Sequence, residues 1–588
     1  MPKFSTFDPQ TMSTTMLTMN KNPPDSKVGE FLIPSMQAPR RSLTTRSSEM
    51  NYVAVLTETR ATRSANEGFR LLLASAKHVV SGVKPHDVIS PVTLLTELAK
   101  VTSLLDGYNE ILVDELFKCN ILALEDAILT CYLKLLVEMA RSNSFYHGEV
   151  CRLLLRALTT IESEDAPEEK ISQIHGSFQT MIKELPRFSE SLLKQISRNL
   201  PFMTKSWQSQ VHFYRSMLEL VDYVPEEVSL EVLSRLIHKI IDLDCQCPKE
   251  EMVSEDDETQ FSMETAEDHA VKEMKHSLGN TFDRLMEVFF EYIDRHVIDV
   301  DDLKRTYRKF LTVFDKFILS TYKCLHIQFL LLYICSKRPV ITDHFIDFLW
   351  HKVQNPNTPV VFRQIAVYYL GSLLCRCSFI GVGTLKDSLL LMTRFLHSYV
   401  AQSSSAQSLT VDLSKHGTFY SVCQSVFYCI AFRHKEIIEG DDGLGYLQRL
   451  NLEQIVTSPL NPLKVISPAV GIHFANVTRH YQVVYCYAIF ERNQRSALPM
   501  ANPGNQKLDV YFPFDPYVLL RSKRFVEPIY REYVDHLKSS VDEDPEQNNN
   551  SSSDSDGEDD EDEEMVSTSL KSAAEKMFAY SVSPGFAH

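Results

Sequence analysis

Ser414-Lys-His-Gly-Thr-Phe-Tyr-Ser-Val-Cys-Gln-Ser-Val-Phe-Tyr-Cys-Ile-Ala-Phe-Arg-His-Lys435 is the stretch on which the fold turns. Phe419, Val422, Cys423, Val426 and Ile430 recur at i, i+3, i+4, i+7 and i+11, the period of one helix face. Tyr420, Phe427 and Ala431 fill the opposite face. A helix apolar on every side is wedged between other helices. Ser414 reads as its N-cap. Arg433, His434 and Lys435 put positive charge on the last turn, where the helix dipole favours it. The pattern predicts an inner helix of an all-helical stack. The basic end beside aromatic residues also makes it a candidate docking surface.

The chain around it has 588 residues, room for several domains or one elongated repeat array. A hydrophobic content of 44% can bury a substantial core, and only 18 glycines argue against a turn-rich β fold or Gly-rich phosphate loops. The longest apolar stretch, Phe317 to Cys335, is broken by Lys323, His326 and Gln328 and reads as buried helix, not membrane span. No secretory signal pattern is expected at the N-terminus. Twelve scattered cysteines read as reduced, buried, small apolar residues of an intracellular chain.

Residues 541–564 hold thirteen acidic and no basic residues, and 250–268 hold nine and none. Setting these thirteen and nine charges aside from the net −17 leaves +5 for the rest. A mildly basic body thus carries two acidic strings, which like-charge repulsion keeps solvated. The organisation expected is a disordered N-terminal arm over 1–49, helical repeats over 50–246, an acidic disordered loop over 247–269, further helical repeats over 270–537 and an acidic disordered tail over 538–588. In the second half the pattern predicts helices at 271–295, 300–319, 321–336, 342–354, 359–378, 384–401, 414–435, 464–493 and 515–537. Helix pairs recur at roughly forty residues, the spacing of HEAT and armadillo arrays. The fold class is therefore all-α, a HEAT-like helical-repeat superhelix. Ser254, Ser551, Ser553 and Ser555 each have an acid three residues on and suit acid-directed protein kinases.

Motifs for chemistry are scarce. Gly440 to Gly445 lacks the strand–turn–helix setting and spacing of a phosphate loop and reads as a turn. Cys245/Cys247 and Cys375/Cys377 are spaced too closely for the usual zinc chelate. Cys423 and His416 lie two helical turns apart, where a nucleophile and its base need direct contact. His326 and Gln328 read as hydrogen-bonded interior polar residues linking adjacent helices. Lys304, Arg305, Arg308 and Lys309, then Arg521, Lys523 and Arg524, form basic patches of the size of ordinary solvated faces. Direct DNA contact is a lesser expectation. No enzyme activity, metal or cofactor is expected, and no membrane partner.

Longer runs carry a resemblance. They are His326-Ile-Gln-Phe-Leu-Leu-Leu-Tyr-Ile-Cys-Ser336; Phe348-Leu-Trp350 through Asn355-Pro-Asn-Thr-Pro359 to Arg363-Gln364; His416-Gly-Thr-Phe-Tyr420 through Phe432-Arg-His-Lys435; Leu460-Asn-Pro-Leu-Lys464; Glu491-Arg-Asn493; and Phe512-Pro-Phe-Asp-Pro516 through Arg521-Ser-Lys-Arg-Phe525. With these runs the chain resembles the RNA polymerase I-specific transcription initiation factor IA family, well over 270–535 and more weakly over 50–246. The resemblance implies a non-enzymatic HEAT-like protein of the nucleus and nucleolus. It binds the stalk side of RNA polymerase I and connects it to the promoter-bound selectivity factor, also called core factor, on ribosomal RNA genes, under control by phosphorylation. The family's polymerase-contact segment lines up with Asp412 to Phe432. This makes Lys415, His416, Arg433, His434 and Lys435 the expected contacts, held in place by the aromatics. A Leu-Ala-Arg-Ala-Lys run of some members, implicated in selectivity-factor contact, is here Leu374-Cys-Arg-Cys-Ser378, which keeps Arg376 but not the lysine. The alternative is a helical-repeat scaffold or transport receptor of another pathway. A transport receptor needs regular repeats and sites for Phe-Gly peptides, and the sequence displays neither.

Overall fold

The computed structural model describes residues 50–533, apart from 63, 82–87, 164–166, 248–273, 275, 322–323, 404–410, 441, 496–506, 509–510 and 515. The expected disordered arm and tail, nearly all of the acidic loop, and Ser254, Ser551, Ser553 and Ser555 lie outside the described residues.

The first half is a run of helices: α1 (Tyr52–Thr62), α2 (Glu67–Ser81), α3 (Pro91–Lys100), α4 (Glu110–Leu116), α5 (Asp126–Ser142), α6 (His147–Leu158), α7 (Glu168–Glu184), α8 (Phe188–Asn199), α9 (Trp207–Tyr223) and α10 (Glu226–Gln246). Helices two apart in sequence pack on each other, α3 on α5, α5 on α7 and α6 on α8, so each pair buries its apolar face on the next. The second half continues with α11 (Ser277–Arg295), α12 (Val300–Val313), α13 (Phe329–Ser336), α14 (Pro339–Gln354), α15 (Val360–Arg376), α16 (Val382–Ser403) and α17 (Leu413–Glu439). The short α18 (Gly443–Arg449), α19 (Leu452–Val456) and α20 (Pro462–Val465) follow, then α21 (Pro468–His480), α22 (Tyr487–Arg495) and α23 (Lys523–Val526). The only β feature among the described residues is an isolated bridge between Cys377 and Tyr530. This is the all-helical repeat fold that the periodicity predicts.

The halves pack through α9 and α10 on α11 and α12, and one buried carboxylate adds a polar join. Asp244, 1% exposed at the end of α10, accepts the backbone N–H groups of Leu325, His326 and Ile327 at 3.0, 2.9 and 3.1 Å. His326 Nδ1 lies 3.0 Å from its other oxygen. Residues 324–328 therefore form no part of the expected 321–336 helix, because the donors of Leu325, His326 and Ile327 turn to Asp244 instead of a preceding carbonyl.

Two more expected helices are corrected. The 464–493 segment breaks at Gln482, whose φ of 54° ends α21, and resumes only at Tyr487. Among the described residues of the expected 515–537 helix, only the single turn of α23 and a 3-10 turn, Glu527–Ile529, are helical. The described residues between 507 and 533 form an irregular strap that runs back over the stack. Pro513, Pro516 and Pro528 lack the backbone donor that a continuous helix needs.

The strap is pinned along its length. Leu508 N–H donates to the Val465 carbonyl at 2.9 Å, and Gln328 Nε2 donates to the Pro513 carbonyl. Phe514 N–H donates to Ser372 Oγ at 3.1 Å. Buried Asp283 of α11 accepts the N–H groups of Arg521 and Ser522 at 2.7 and 2.9 Å and the Ser522 hydroxyl as well. The Phe525 ring stacks on Phe290 at 5.0 Å. At its end Ser378 N–H donates to the Ile529 carbonyl at 3.0 Å, and Arg531 N–H donates to the Arg376 carbonyl.

Candidate functional site

The central helix α17 is built as its apolar surround predicts. Phe419, Tyr420, Val422, Cys423, Val426, Phe427, Cys429 and Ile430 are all 0% exposed. Its fit against α15 comes from a feature the apolar period does not display. Gly417, Ser421, Ser425, Cys429 and Arg433 recur every four residues and form one ridge. The Ser425 hydroxyl donates to the Val367 carbonyl at 3.2 Å. Cys429 Sγ lies 3.5 Å from Cys375 Sγ. Opposite them, a Cβ added at Gly371 would stand 2.9 Å from the Ser425 Cβ, so the two backbones approach only because Gly371 has none.

The other faces of α17 are covered as closely. Phe427 stacks on Phe474 of α21 with centroids 4.1 Å apart. Phe419 stacks on Tyr399 of α16 at 5.1 Å. The Tyr420 hydroxyl donates to the Leu460 carbonyl at 2.9 Å, and Gln424 Oε1 accepts the Ser467 N–H at 2.8 Å. Tyr428 packs on Phe512 and Phe432 on Tyr533, both from the strap. Burial holds the Cys423 and Cys375 thiols protonated, their pKa values well above the ordinary one.

The ends of α17 carry the expected contact residues. Asp412, not Ser414, is the N-cap: its carboxylate accepts the Ser414 N–H at 3.0 Å and the Ser414 hydroxyl at 2.6 Å. Lys415 is exposed and lies 3.5 Å from Asp412. His416 is half-buried, with Nδ1 2.9 Å from the Tyr399 hydroxyl, and burial lowers its pKa. The helix is kinked at His416 and again at Arg433, where ψ is 15° and 22°.

The expectation that Arg433, His434 and Lys435 form an exposed basic last turn is corrected: the helix runs on to Glu439, and two of the three residues are buried. Arg433 is 2% exposed. Its guanidinium donates to both oxygens of Glu436 and, at 3.0 Å, to the Leu374 carbonyl of α15. Arg531 of the strap reaches the same carboxylate at 3.1 Å. Burial alone would raise the Glu436 pKa, but the Arg433 hydrogen bond and the two guanidinium charges hold it below the ordinary value. His434 is also buried, Nδ1 3.0 Å from the Ala431 carbonyl. The kink at Arg433 turns both side chains inward, and only Lys435 stays at the surface.

Arg376 is likewise buried, at 8%. Its guanidinium sits 5.0 Å from the Phe432 ring centre and 5.5 Å from that of Tyr530, a cation between two aromatic faces. Lys304 and Arg305 pair with Asp301 and Asp302 at 3.3 and 3.1 Å, and Arg521 and Arg524 pair with Glu287 at 3.2 and 2.7 Å. Gly443 begins α18, so the glycine-rich run is a turn leading into a helix. Among the described residues no group of three or more His, Cys, Asp or Glu side chains is placed to hold a metal ion, and no helix is long and apolar enough to cross a membrane.

Such a fold defines an all-α helical-repeat protein. The chain belongs to the family described as RNA polymerase I specific transcription initiation factor RRN3, whose profile matches residues 56–538. It is 34% identical over 398 residues to the RNA polymerase I-specific transcription initiation factor RRN3 of Mus musculus, a match covering 61% of this chain and 60% of that one. The corresponding factor of Schizosaccharomyces pombe is 27% identical over 480 residues, covering 75% of this chain and 79% of that one. The crystal structure of RNA polymerase I transcription initiation factor Rrn3 superposes with a TM-score of 0.64 at 18% identity, over 82% of this chain and 98% of that chain. That likeness concerns the fold.

Proposed function

We propose that this chain is a non-enzymatic RNA polymerase I initiation factor of the nucleus and nucleolus. It binds the polymerase on its stalk side and bridges it to the promoter-bound selectivity factor at ribosomal RNA genes, with protein kinases adjusting the contact. The observation that carries this reading is the family match, which runs through both halves of the body and the strap. Within it, Lys415, His416 and Lys435 are the direct contacts at the two ends of α17. Arg433 and His434 hold the far end in shape from inside. Arg376 acts on the selectivity factor through the strap that it anchors, since its own side chain lies between two rings.

The test is a pull-down of RNA polymerase I from nuclear extract with wild type and with Lys415→Glu/Lys435→Glu. Both residues are exposed, so melting should stay unchanged. Polymerase capture should fall, and what remains should depend less on salt. Capture equal to wild type at low and moderate salt would remove these residues from the interface. Failure of wild type to capture any polymerase subunit would remove the function.

A further inference from the structure

The turn between α21 and α22 carries a surface that the polymerase reading does not use. After Gln482 reverses the chain, Val484 and Cys486 are buried at 3% and 0%, while Tyr485 and Tyr487 are exposed at 67% and 38%. Tyr485 precedes α22 and Tyr487 opens it, its hydroxyl donating to Asn476 Oδ1. Both phenol rings are exposed on this turn while Val484 and Cys486 anchor the segment in the core. Cys486 is as buried as any core residue, and Val483 N–H donates to the Thr478 carbonyl at 2.8 Å. The rings are held by the fold and do not hang from a loose loop.

The charges around them have one prevailing sign. Arg479 and His480 occupy the exposed last turn of α21, and the Arg479 guanidinium lies 5.2 Å from the Tyr487 ring centre. Arg492 and Arg495 are exposed on α22, Arg495 with Glu491 at 3.5 Å. Between 476 and 495 the sequence has three arginines and one acid, Glu491. Glu439, whose charge acts on Tyr481, lies 3.9 Å from Lys435.

We propose that Tyr485 and Tyr487, flanked by Arg479, Arg492 and Arg495, form a docking site for a single-stranded nucleic acid. Every base has a π-face, so exposed rings take unpaired bases without regard to sequence, and flanking arginines take the phosphates. Paired bases are stacked inside a duplex and offer no face to these rings, so a duplex of equal charge is held only through its backbone. An acidic peptide would use the arginines but has nothing to lay on the tyrosines.

The test uses the full chain with fluorescently labelled dT12 and U12, the matching duplex, and a poly-glutamate peptide of equal charge. Wild type should bind the single strands more tightly than duplex or peptide. Three phosphate contacts give a slope of log affinity against log salt of roughly −2. Tyr485→Ala/Tyr487→Ala should weaken single-strand binding roughly ten- to a hundredfold while leaving duplex binding unchanged. Arg479→Glu should lower the salt slope by about 0.7. Tyr485→Ala alone is the companion variant if the double one loses its native melting transition, because that ring is the more exposed. Absence of single-strand binding by wild type overturns the proposal. So does undiminished binding by Tyr485→Ala. Equal competition by poly-glutamate assigns the surface to an acidic peptide and overturns it too. The comparison of dT12 with U12 tells whether DNA or RNA is the preferred strand.

Discussion

Phe427 and Arg433 sit two turns apart on one helix and fill their places for different reasons. Phe427 is 0% exposed and lies flat on Phe474, so truncation leaves a cavity that the surrounding helices cannot close. Phe427→Ala should cost about 3–5 kcal/mol in denaturant unfolding. Arg433 is a buried cation satisfied by Glu436 and the Leu374 carbonyl. Arg433→Glu buries a carboxylate beside the half-buried Glu436 and removes the cation that satisfied it, and should cost about 3–5 kcal/mol in the same measurement. Lys435→Glu, two residues on and exposed, should stay within about 0.5 kcal/mol of wild type. Equal effects from the two reversals would mean that Arg433 is not held as described. The sequence told the residue types here but not their directions. A basic last turn is what a helix dipole favours at a surface, and nothing in His-Lys-Glu distinguishes that from a kink that turns an arginine inward.

At the scale of elements, the strap and the α9–α11–α12 contact are each held by few polar groups. Asp283 alone accepts three bonds from Arg521 and Ser522. Asp283→Ala leaves buried donors unpaired, at about 1–3 kcal/mol each. Amide exchange over 507–533 should rise more than exchange in α15 and α17. Unchanged protection of the strap would show that its aromatic contacts suffice. In the second contact, His296 lies 3.2 Å from Asp222 and beside Asp302. The Asp222 hydrogen bond raises the His296 pKa, burial opposes it, and the Asp302 bond adds to it. The folded state holds this proton more tightly than the unfolded one. The stabilisation is thus complete below the ordinary value near 6.5 and is lost as pH rises through the folded value. His175 works the other way. Burial lowers its pKa to about 4, so the unfolded chain protonates first and stability falls as pH drops from about 6.5 toward 4. His296→Gln should remove the decline above pH 6.5 from the stability profile, and His175→Gln should reduce the acid-side decline. A profile unaltered by either change would contradict this pairing.

For the whole molecule, Asp244 ties the end of α10 in the first half to residues 325–327 of the second. Three backbone donors and His326 converge on it, and the Cys324 carbonyl accepts Gln328, which also donates to the strap. Asp244→Ala should cost at least about 3 kcal/mol and split a single calorimetric transition into two. A single transition at reduced temperature would place the coupling of the halves in apolar packing alone.

Periodicity by itself determined that the body is helical and that α17 is an inner helix, because an apolar residue on every face has one stable destination. Composition set the acidic strings apart from the body. The motif runs carried the family, since collinear runs far apart in sequence constrain one another. The identity of His326 and Gln328 as interior polar links was legible too, as lone polar residues in an apolar run must find partners. Which partners they found was not. Asp244 lies 82 positions before His326 and Pro513 lies 185 after Gln328, and no local pattern encodes such a meeting. The strap read as a helix because its apolar spacing is helix-like. Its prolines and the buried carboxylate of Asp283 overrule that spacing once the stack exists to receive it. The inward turn of Arg433 has the same origin. A buried charge is tolerated only where a carboxylate and a carbonyl from other elements are already waiting, and that arrangement exists only in the folded chain.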